Sequence, residues 1–502
     1  MHTMLKNRPL AGGLKAWLYR QIMGEKLDNP LGYMILAAFA LAFGGLVPIL
    51  GVKGGMMIIA GLLGVPALLL CMFNQQFGVC FTLLIAFFVN YFSKINSAPL
   101  GTSLDGLLLL MCFGIFIGQV LRKDWGFIRD PISTWLMIWM YYCFVQGLNP
   151  SAESKAAWGF SVRAVAVLNL VYFIAAYSMN TLSKVKFMMK WLLGLAGIAC
   201  LYAFKQEYIG FSDAEMGWLM ADPERYQLFF QWGRMRIFSI FSDPMTFGIM
   251  MTYMGIFCFI MASVEKYSIE RKILLCVMGV AMVWTTAYTG TRTCYALIPI
   301  GLAFYAMMTL SPRIIIGGVA VMAVLTVFVL KGSSNPMIFR IQSAFKPSED
   351  ASVQIRYYNQ QRIRPFIYTH PIGFGLGSTG LWARRFTPDS FLAKFAHDSY
   401  YVRIAVEAGW IGLIIYMIFM FMCVRRTLYF YLRVRDPEIK AILLSLLVAI
   451  FLLAVANYPQ EAIVQLPTSM VFHVMLAIVV RIKDFDEHYV EMERLLKARR
   501  EL

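Results

Sequence analysis

Charge is scarce in this sequence. Only 15% of its 502 residues are Asp, Glu, Lys or Arg, while 59% are hydrophobic, more apolar surface than a water-soluble domain can bury against itself. An ordinary soluble fold is therefore excluded, and lipid is the expected solvent for most of the chain. Acidic residues are the scarcer sign: 28 Asp and Glu face 45 Lys and Arg, a formal net charge of +17. In a polytopic membrane protein such an excess follows from the cytoplasmic bias of Lys and Arg, so nucleic acid is not called for. There are five histidines and nine cysteines. The cysteines fall inside or at the edges of apolar runs, without disulfide or zinc spacing, and act there as small apolar side chains. No His, Cys, Asp and Glu group has metal-ligand spacing, and no paired carboxylates of glycosidase type stand out, so chemistry without a metal or other cofactor is expected. Heptad seams, low-complexity tracts and overt repeats are also missing; a hidden inverted repeat stays open.

What is present is a long series of apolar runs of about 20 residues, the length that crosses a hydrocarbon core of roughly 30 Å. They predict an all-α polytopic membrane protein with about fourteen transmembrane helices. Six lie near 31–50, 54–73, 76–92, 101–121, 131–146 and 157–178. Eight more lie near 185–204, 244–263, 272–289, 293–310, 313–330, 401–423, 439–456 and 463–480. The first 30 residues hold five Lys and Arg and no apolar core, so the first span is expected to serve as its own insertion signal.

Alternate short loops are basic: Arg122, Lys123 and Arg129; Lys184 and Lys186; Lys266, Arg271 and Lys272; Arg313; Arg425, Arg426, Arg433, Arg435 and Lys440. This alternation predicts both termini in the cytoplasm. The expected organisation is a cytoplasmic segment 1–30, an N-terminal bundle 31–204, an outer loop 205–243, helices 244–330, a large outer loop 331–400 between the eleventh and twelfth spans, helices 401–480 and an amphipathic tail 481–502. The large loop holds nine basic and four acidic residues, net +5. Long loops escape the topology rule, so that charge calls for a functional reason.

Ala396-His397-Asp398-Ser399-Tyr400-Tyr401, running into Arg403 and Glu407-Ala408-Gly409, places a histidine at the outer membrane surface. Its near-neutral pKa suits it to take a proton from an attacking hydroxyl. The plainer reading is a helix-entry cap by Asp398 or Ser399 beside interfacial aromatics. Arg234 and Arg236 precede Phe241-Ser242-Asp243-Pro244, Arg292 sits in Thr289-Gly290-Thr291-Arg292, and Arg356 lies in the large loop. Converging guanidinium groups suit a pyrophosphate, each by a bidentate fork; interfacial snorkelling or ion pairs with Asp243 or Glu407 is the alternative. His370 to Ser378, with Gly373, Gly375 and Gly377, looks like a phosphate loop but lacks strand-turn-helix context, and a turn allowing close backbone approach is favoured. Arg163, Asp105 and His473 are costly in hydrocarbon and are expected to face the bundle interior or an interface.

Taken in order, Arg236 with Phe241-Ser242-Asp243-Pro244, the Thr289–Arg292 turn, Arg356 ahead of Pro371-Ile372-Gly373-Phe374-Gly375-Leu376-Gly377, and His397 with Glu407-Ala408-Gly409 resemble the O-antigen ligase and polymerase superfamily. That superfamily includes lipopolysaccharide ligases, surface-polysaccharide polymerases and some protein O-oligosaccharyltransferases. The chain departs from it in having Thr291-Arg292-Thr293 where many members have Ser-Arg-Gly, and Met245 where Asn often follows the Pro. The resemblance implies a bacterial inner-membrane glycosyltransferase whose site faces the periplasm. Its donor would be an undecaprenyl-diphosphate-linked glycan and its acceptor a glycan, the lipid A core or a protein. It implies that Arg236, Arg292 and Arg356 hold the diphosphate, that His397 assists the acceptor hydroxyl, and that Glu407, Gly375 and Gly377 support them. About fourteen spans tilts the expectation slightly toward a polymerase. A polysaccharide flippase or transporter is the alternative from another class, one that would place its polar groups near mid-membrane in broken helices.

Overall fold

The computed structural model describes residues 28–95, 100–231, 233–312, 314–319, 323, 351–395 and 399–501. It is helical almost throughout, with one two-stranded hairpin. The chain divides into two units, residues 1–70 and 71–502. The described part of the first unit is a single helix, α1 (Pro30–Phe73), whose last turn enters the second. The two spans expected at 31–50 and 54–73 thus lie on one continuous helix of 44 residues, about 66 Å at 1.5 Å per residue. Gly51, Gly54 and Gly55 permit a turn there but do not force one. A glycine inside a helix costs only about 1 kcal/mol against Ala.

In the second unit the bundle comprises α2 (Gln75–Ile95), α3 (Leu100–Arg122), α4 (Pro131–Val145), α5 (Lys155–Val165), α6 (Leu170–Ser178) and α7 (Leu182–Tyr208). There follow the short helices α8 (Asp213–Met220) and α9 (Pro223–Phe229), the hairpin β1 (Phe230–Gln231) and β2 (Arg234–Met235), and then α10 (Pro244–Ala262), α11 (Ile269–Tyr288) and α12 (Arg292–Thr309). After residues 324–350, which lie outside the described set, come α13 (Ala351–Thr369), α14 (Gly380–Phe386), α15 (Tyr400–Glu407), α16 (Gly409–Arg433), α17 (Pro437–Ala456), α18 (Thr468–Ile482) and α19 (Glu487–Glu501).

Asp-Pro is the recurrent start signal. Asp130, Asp222, Asp243 and Asp436 each cap a helix by accepting backbone N–H groups, and the following Pro takes the first helical position, where a missing N–H is harmless. Among the described residues seven helical stretches are long and apolar enough to cross a membrane. Their outward faces carry large apolar side chains, such as Leu109, Phe113 and Phe116 on α3 and Ile414, Met417 and Phe421 on α16. Such a continuous apolar exterior is stable only against lipid.

Three expected spans differ in detail. The one near 157–178 is broken: α5 ends at Val165, a 3-10 turn covers Val167–Asn169, and α6 resumes at Leu170. The one near 401–423 is interrupted at Ala408 and Gly409. That near 313–330 falls mostly outside the described residues. The segment 205–243 is an ordered cap, in which Leu219, Phe229 and Phe238 make a small core of their own.

α10 is the axis of the bundle, buried almost all round and packed by α7, α11, α12 and α17. Against α11 the approach is backbone to backbone: an added Cβ on Gly255 would lie 3.1 Å from the Gly279 carbonyl oxygen, and one on Gly279 would lie 3.1 Å from that of Gly255. Chain direction then assigns two ends to the bundle. The start of α10 lies with the ends of α2, α7 and α11. At the other end are the starts of α7, α11 and α17 and the finish of α16.

Candidate functional site

The arginine turn is built at the first of these ends. Ile237 N–H donates to the Tyr288 carbonyl (3.1 Å), laying the segment before α10 along the end of α11. The turn itself needs Gly290 at φ +57°, a conformation that carries little cost only without a Cβ. Thr289 Oγ1 closes it by donating to the Thr286 carbonyl (2.7 Å) and accepting from Thr291 N–H (3.2 Å). Arg236 then reaches across: Nε donates to the Thr289 carbonyl (2.8 Å), Nη2 to Thr291 Oγ1 (3.0 Å) and Nη1 to the Leu228 carbonyl (3.3 Å). Burial lowers the Arg236 guanidinium from its ordinary value, Asp243 opposes that shift, and the nearby positive charge of Arg292 adds to it. Arg236 and Arg292 therefore feel each other, and Arg292 stands half-buried at the first position of α12. Asp243 is engaged as the cap of α10, accepting from Thr246 N–H (2.8 Å), Thr246 Oγ1 (2.8 Å) and Ser242 Oγ (2.6 Å). Its place in the motif is thus explained by helix initiation, with its charge left to act on the arginine.

A cation absent from the sequence reading lies against the segment before α10. Lys94, at the end of α2, donates to the Phe241 carbonyl and sits 3.8 Å from the centre of the Phe238 ring and 4.7 Å from that of Trp218. Asp243 and Glu215 act on its charge from nearby. The signal that could have found it is its position: a lysine closing the third apolar run, on the side where short loops are expected to lack basic residues.

The glycine-rich stretch is a packing device. Phe374 N–H donates to the Val406 carbonyl (3.0 Å) and Ile411 N–H to the Pro371 carbonyl (3.2 Å). The Ile372 and Gly373 carbonyls accept from Gln146 and Asn149 (2.9 to 3.2 Å). Gly373, Gly375, Gly377 and Gly409 all have φ between +71° and +89°. A Cβ on Gly375 would lie 2.5 Å from that of Ala152, and one on Gly377 2.5 Å from Ser161 Oγ. The loop's backbone is pressed against the connection between α4 and α5, α5 itself and the α15–α16 junction, which supports the close-approach reading over a phosphate loop.

Glu407 is buried at that junction, accepting from Thr379 Oγ1 and from Arg403 Nε (3.1 Å); Arg403 also pairs with Glu461 (2.9 Å). Ser399 caps α15, and its hydroxyl and Tyr400 N–H both donate to the Asn457 carbonyl at the end of α17 (3.4 and 3.1 Å). On the other side Phe395 is held in a cluster with Ile363, Leu392 and Val406. His397 itself lies outside the described residues, between these two anchors. Arg356 is on α13. The arginine turn and the Glu407 junction thus flank the same end of α17, which packs against α10, α12 and α16.

The costly residues within the spans are accounted for. Arg163 pairs with Asp105, and His473, buried, shares a hydrogen bond with the Ser469 carbonyl (2.7 Å). Asn169 at the break between α5 and α6 lines a small cavity with Ser469 and His473. Among the described residues no group of three or more His, Cys, Asp or Glu converges so as to hold a metal ion.

Residues 277–417 match the family model described as O-antigen ligase. The matched stretch takes in the turn with Arg292, α13 with Arg356, the glycine loop, His397 and Glu407, while Arg236 precedes it. No curated protein matches the chain.

Proposed function

We propose that this chain, whose residues 277–417 match the O-antigen ligase family model, transfers a glycan from undecaprenyl diphosphate to an acceptor hydroxyl in surface-polysaccharide assembly. The observation that carries this reading is the arginine turn, where Arg236 is hydrogen-bonded to Thr289 and Thr291 of the turn that begins α12 with Arg292, close enough for the two charges to act on each other. Like charges are held together at a cost, and a doubly charged leaving group offsets it. Arg236 spends part of its N–H fork on the turn, and the remainder with Arg292 and Arg356 takes the diphosphate. His397 orients or deprotonates the acceptor hydroxyl, which attacks the anomeric carbon from the face opposite the diphosphate and inverts it. The C–O bond to the leaving phosphate breaks as the glycosidic bond forms, and the arginines stabilise the charge that develops on the phosphate. Undecaprenyl diphosphate leaves well, so neither a metal nor a nucleotide sugar is required. The site faces the periplasm of the inner membrane, and polymerase is favoured slightly over ligation to lipid A core or protein.

The test uses the purified chain in nanodiscs with a lipid-diphosphate glycan and acceptor. Arg292→Ala should abolish transfer, and Arg292→Lys should rescue poorly because it lacks the planar fork. His397→Ala should cut transfer by roughly 10² to 10⁴ while leaving donor binding intact. Full activity in a stably inserted Arg292→Ala would overturn the diphosphate role. One observation favours a transporter instead, the break between α5 and α6 with buried Asn169 beside His473. Movement of the intact donor across vesicles, without glycan transfer, would establish that second reading.

A further inference from the structure

At the end of the bundle opposite the arginine turn, α7, α10, α11 and α17 enclose a pocket with a divided character. Its depth is apolar, lined by Leu193, Phe257 and Ile442 among others, and its mouth carries Lys186, Lys190 and Arg271 with the carboxylate of Glu438. The acid is already matched. Glu438 accepts from Lys186 Nζ (2.7 Å) and from Tyr267 OH (2.9 Å). Nearby, Lys266 and Asp436 pair with each other (3.1 Å). Lys190 and Arg271 form no direct ion pair among the described residues, although the charge of Arg271 also acts on Glu438. The Arg271 guanidinium carbon lies over the Tyr267 ring, 3.4 Å from its centre, a cation–π contact that does not use up its N–H donors. Lys190 is exposed and meets no carboxylate among the described residues. From Arg271 to Thr289 α11 runs eighteen residues, so the pocket lies about 27 Å along the axis from the arginine turn. That separation corresponds to the opposite leaflet.

An apolar slot open beside membrane-crossing helices, with cations in no direct ion pair at its rim, fits a molecule that has both a chain and an anionic head. We propose that the pocket binds an anionic phospholipid, its phosphate between Lys190 and Arg271 and an acyl chain along Leu193, Phe257 and Ile442. Nothing in the proposed transfer reaction requires this site, so the two readings stand or fall separately.

The test is lipid binding to the full-length protein in neutral detergent, read by native mass spectrometry and by thermal shift, with phosphatidylglycerol, phosphatidylcholine and inorganic phosphate as three separate probes. Phosphatidylglycerol should bind at least about tenfold more tightly than phosphatidylcholine, as expected for two surface cations. The double variant Lys190→Gln, Arg271→Gln should lose that preference. Leu193→Trp, which fills the slot and leaves every charge in place, should lose phosphatidylglycerol binding too and serves if the charge variant does not fold. Equal binding of the two lipids, an unchanged preference in the double variant, or a response to inorganic phosphate equal to that to phosphatidylglycerol would overturn the proposal.

Discussion

Gly409→Ala is the sharpest perturbation of the junction that carries Glu407. Gly409 sits at φ +71°, and a Cβ there would lie 2.0 Å from the Pro371 oxygen and 2.5 Å from Gly373 N. The left-handed conformation alone costs an alanine about 1–2 kcal/mol. The overlap is with backbone and cannot be relieved by a rotamer change, so the glycine loop must withdraw. Withdrawal breaks the Ile411–Pro371 and Phe374–Val406 hydrogen bonds, each worth about 1 kcal/mol and more where a buried group is left unmatched. The sum is about 3–5 kcal/mol. Gly194→Ala on α7 is the control, because a Cβ there meets nothing within 4 Å and should be neutral or gain up to about 1 kcal/mol. Thermal unfolding in detergent, with limited trypsin cleavage at Arg384 and Arg385 as a local probe, separates the two. Gly409→Ala should unfold earlier and be cut faster. If both variants behave alike in both assays, the close-approach account of the loop is wrong.

Arg403→Gln should cost about 3–5 kcal/mol by taking from the buried Glu407 and the half-buried Glu461 the cation they share, and adding Glu407→Gln should recover part of it in the same unfolding assay. Lys94→Met keeps contact with Phe238 and Trp218 but removes the donor to the Phe241 carbonyl, a loss of about 1–3 kcal/mol that Trp218 fluorescence should report as a local change. Asp436 caps α17. Burial alone would raise its carboxyl, but the Ile439 N–H, Lys266 and the Glu438 N–H outweigh that and hold it below its usual value. Its contribution is therefore present above the unfolded-state value near 4 and lost as pH falls through the lower folded value. Asp436→Asn should keep the cap and flatten that acid loss, while Asp436→Ala should cost about 1 kcal/mol at neutral pH.

The parts of the fold legible in the sequence were those with a local cause. The start of α15 reads as a cap by Asp398 or Ser399, and the structure gives it to Ser399. Gly373, Gly375 and Gly377 read as close-approach positions because only glycine tolerates their backbone. The break between α5 and α6 was not legible, since a single Asn169 in an otherwise apolar run does not by itself end a helix and the turn is set by tertiary packing. Nor was the continuity of α1, whose glycines are compatible with either a turn or a helix. Lys94 escaped because its partner is a carbonyl 147 residues away, a pairing no local pattern encodes. The arginines read as a set because the same residue type recurs beside turns, but that Arg236 also braces the turn holding Arg292 depends on the fold of the intervening cap.

The backbone contact between Gly255 and Gly279 has a mechanical meaning. Where side chains separate two helices, rotamers can give and let one rod slide or roll past the other; where the backbones touch at mid-length, no such slack exists. α10 and α11 therefore behave as one stiff strut joining the two faces of the bundle. A load applied at Arg271 can reach the Thr289–Arg292 turn only by tilting that strut as a whole, and a bulkier residue at position 255 or 279 would prise the rods apart and uncouple its ends.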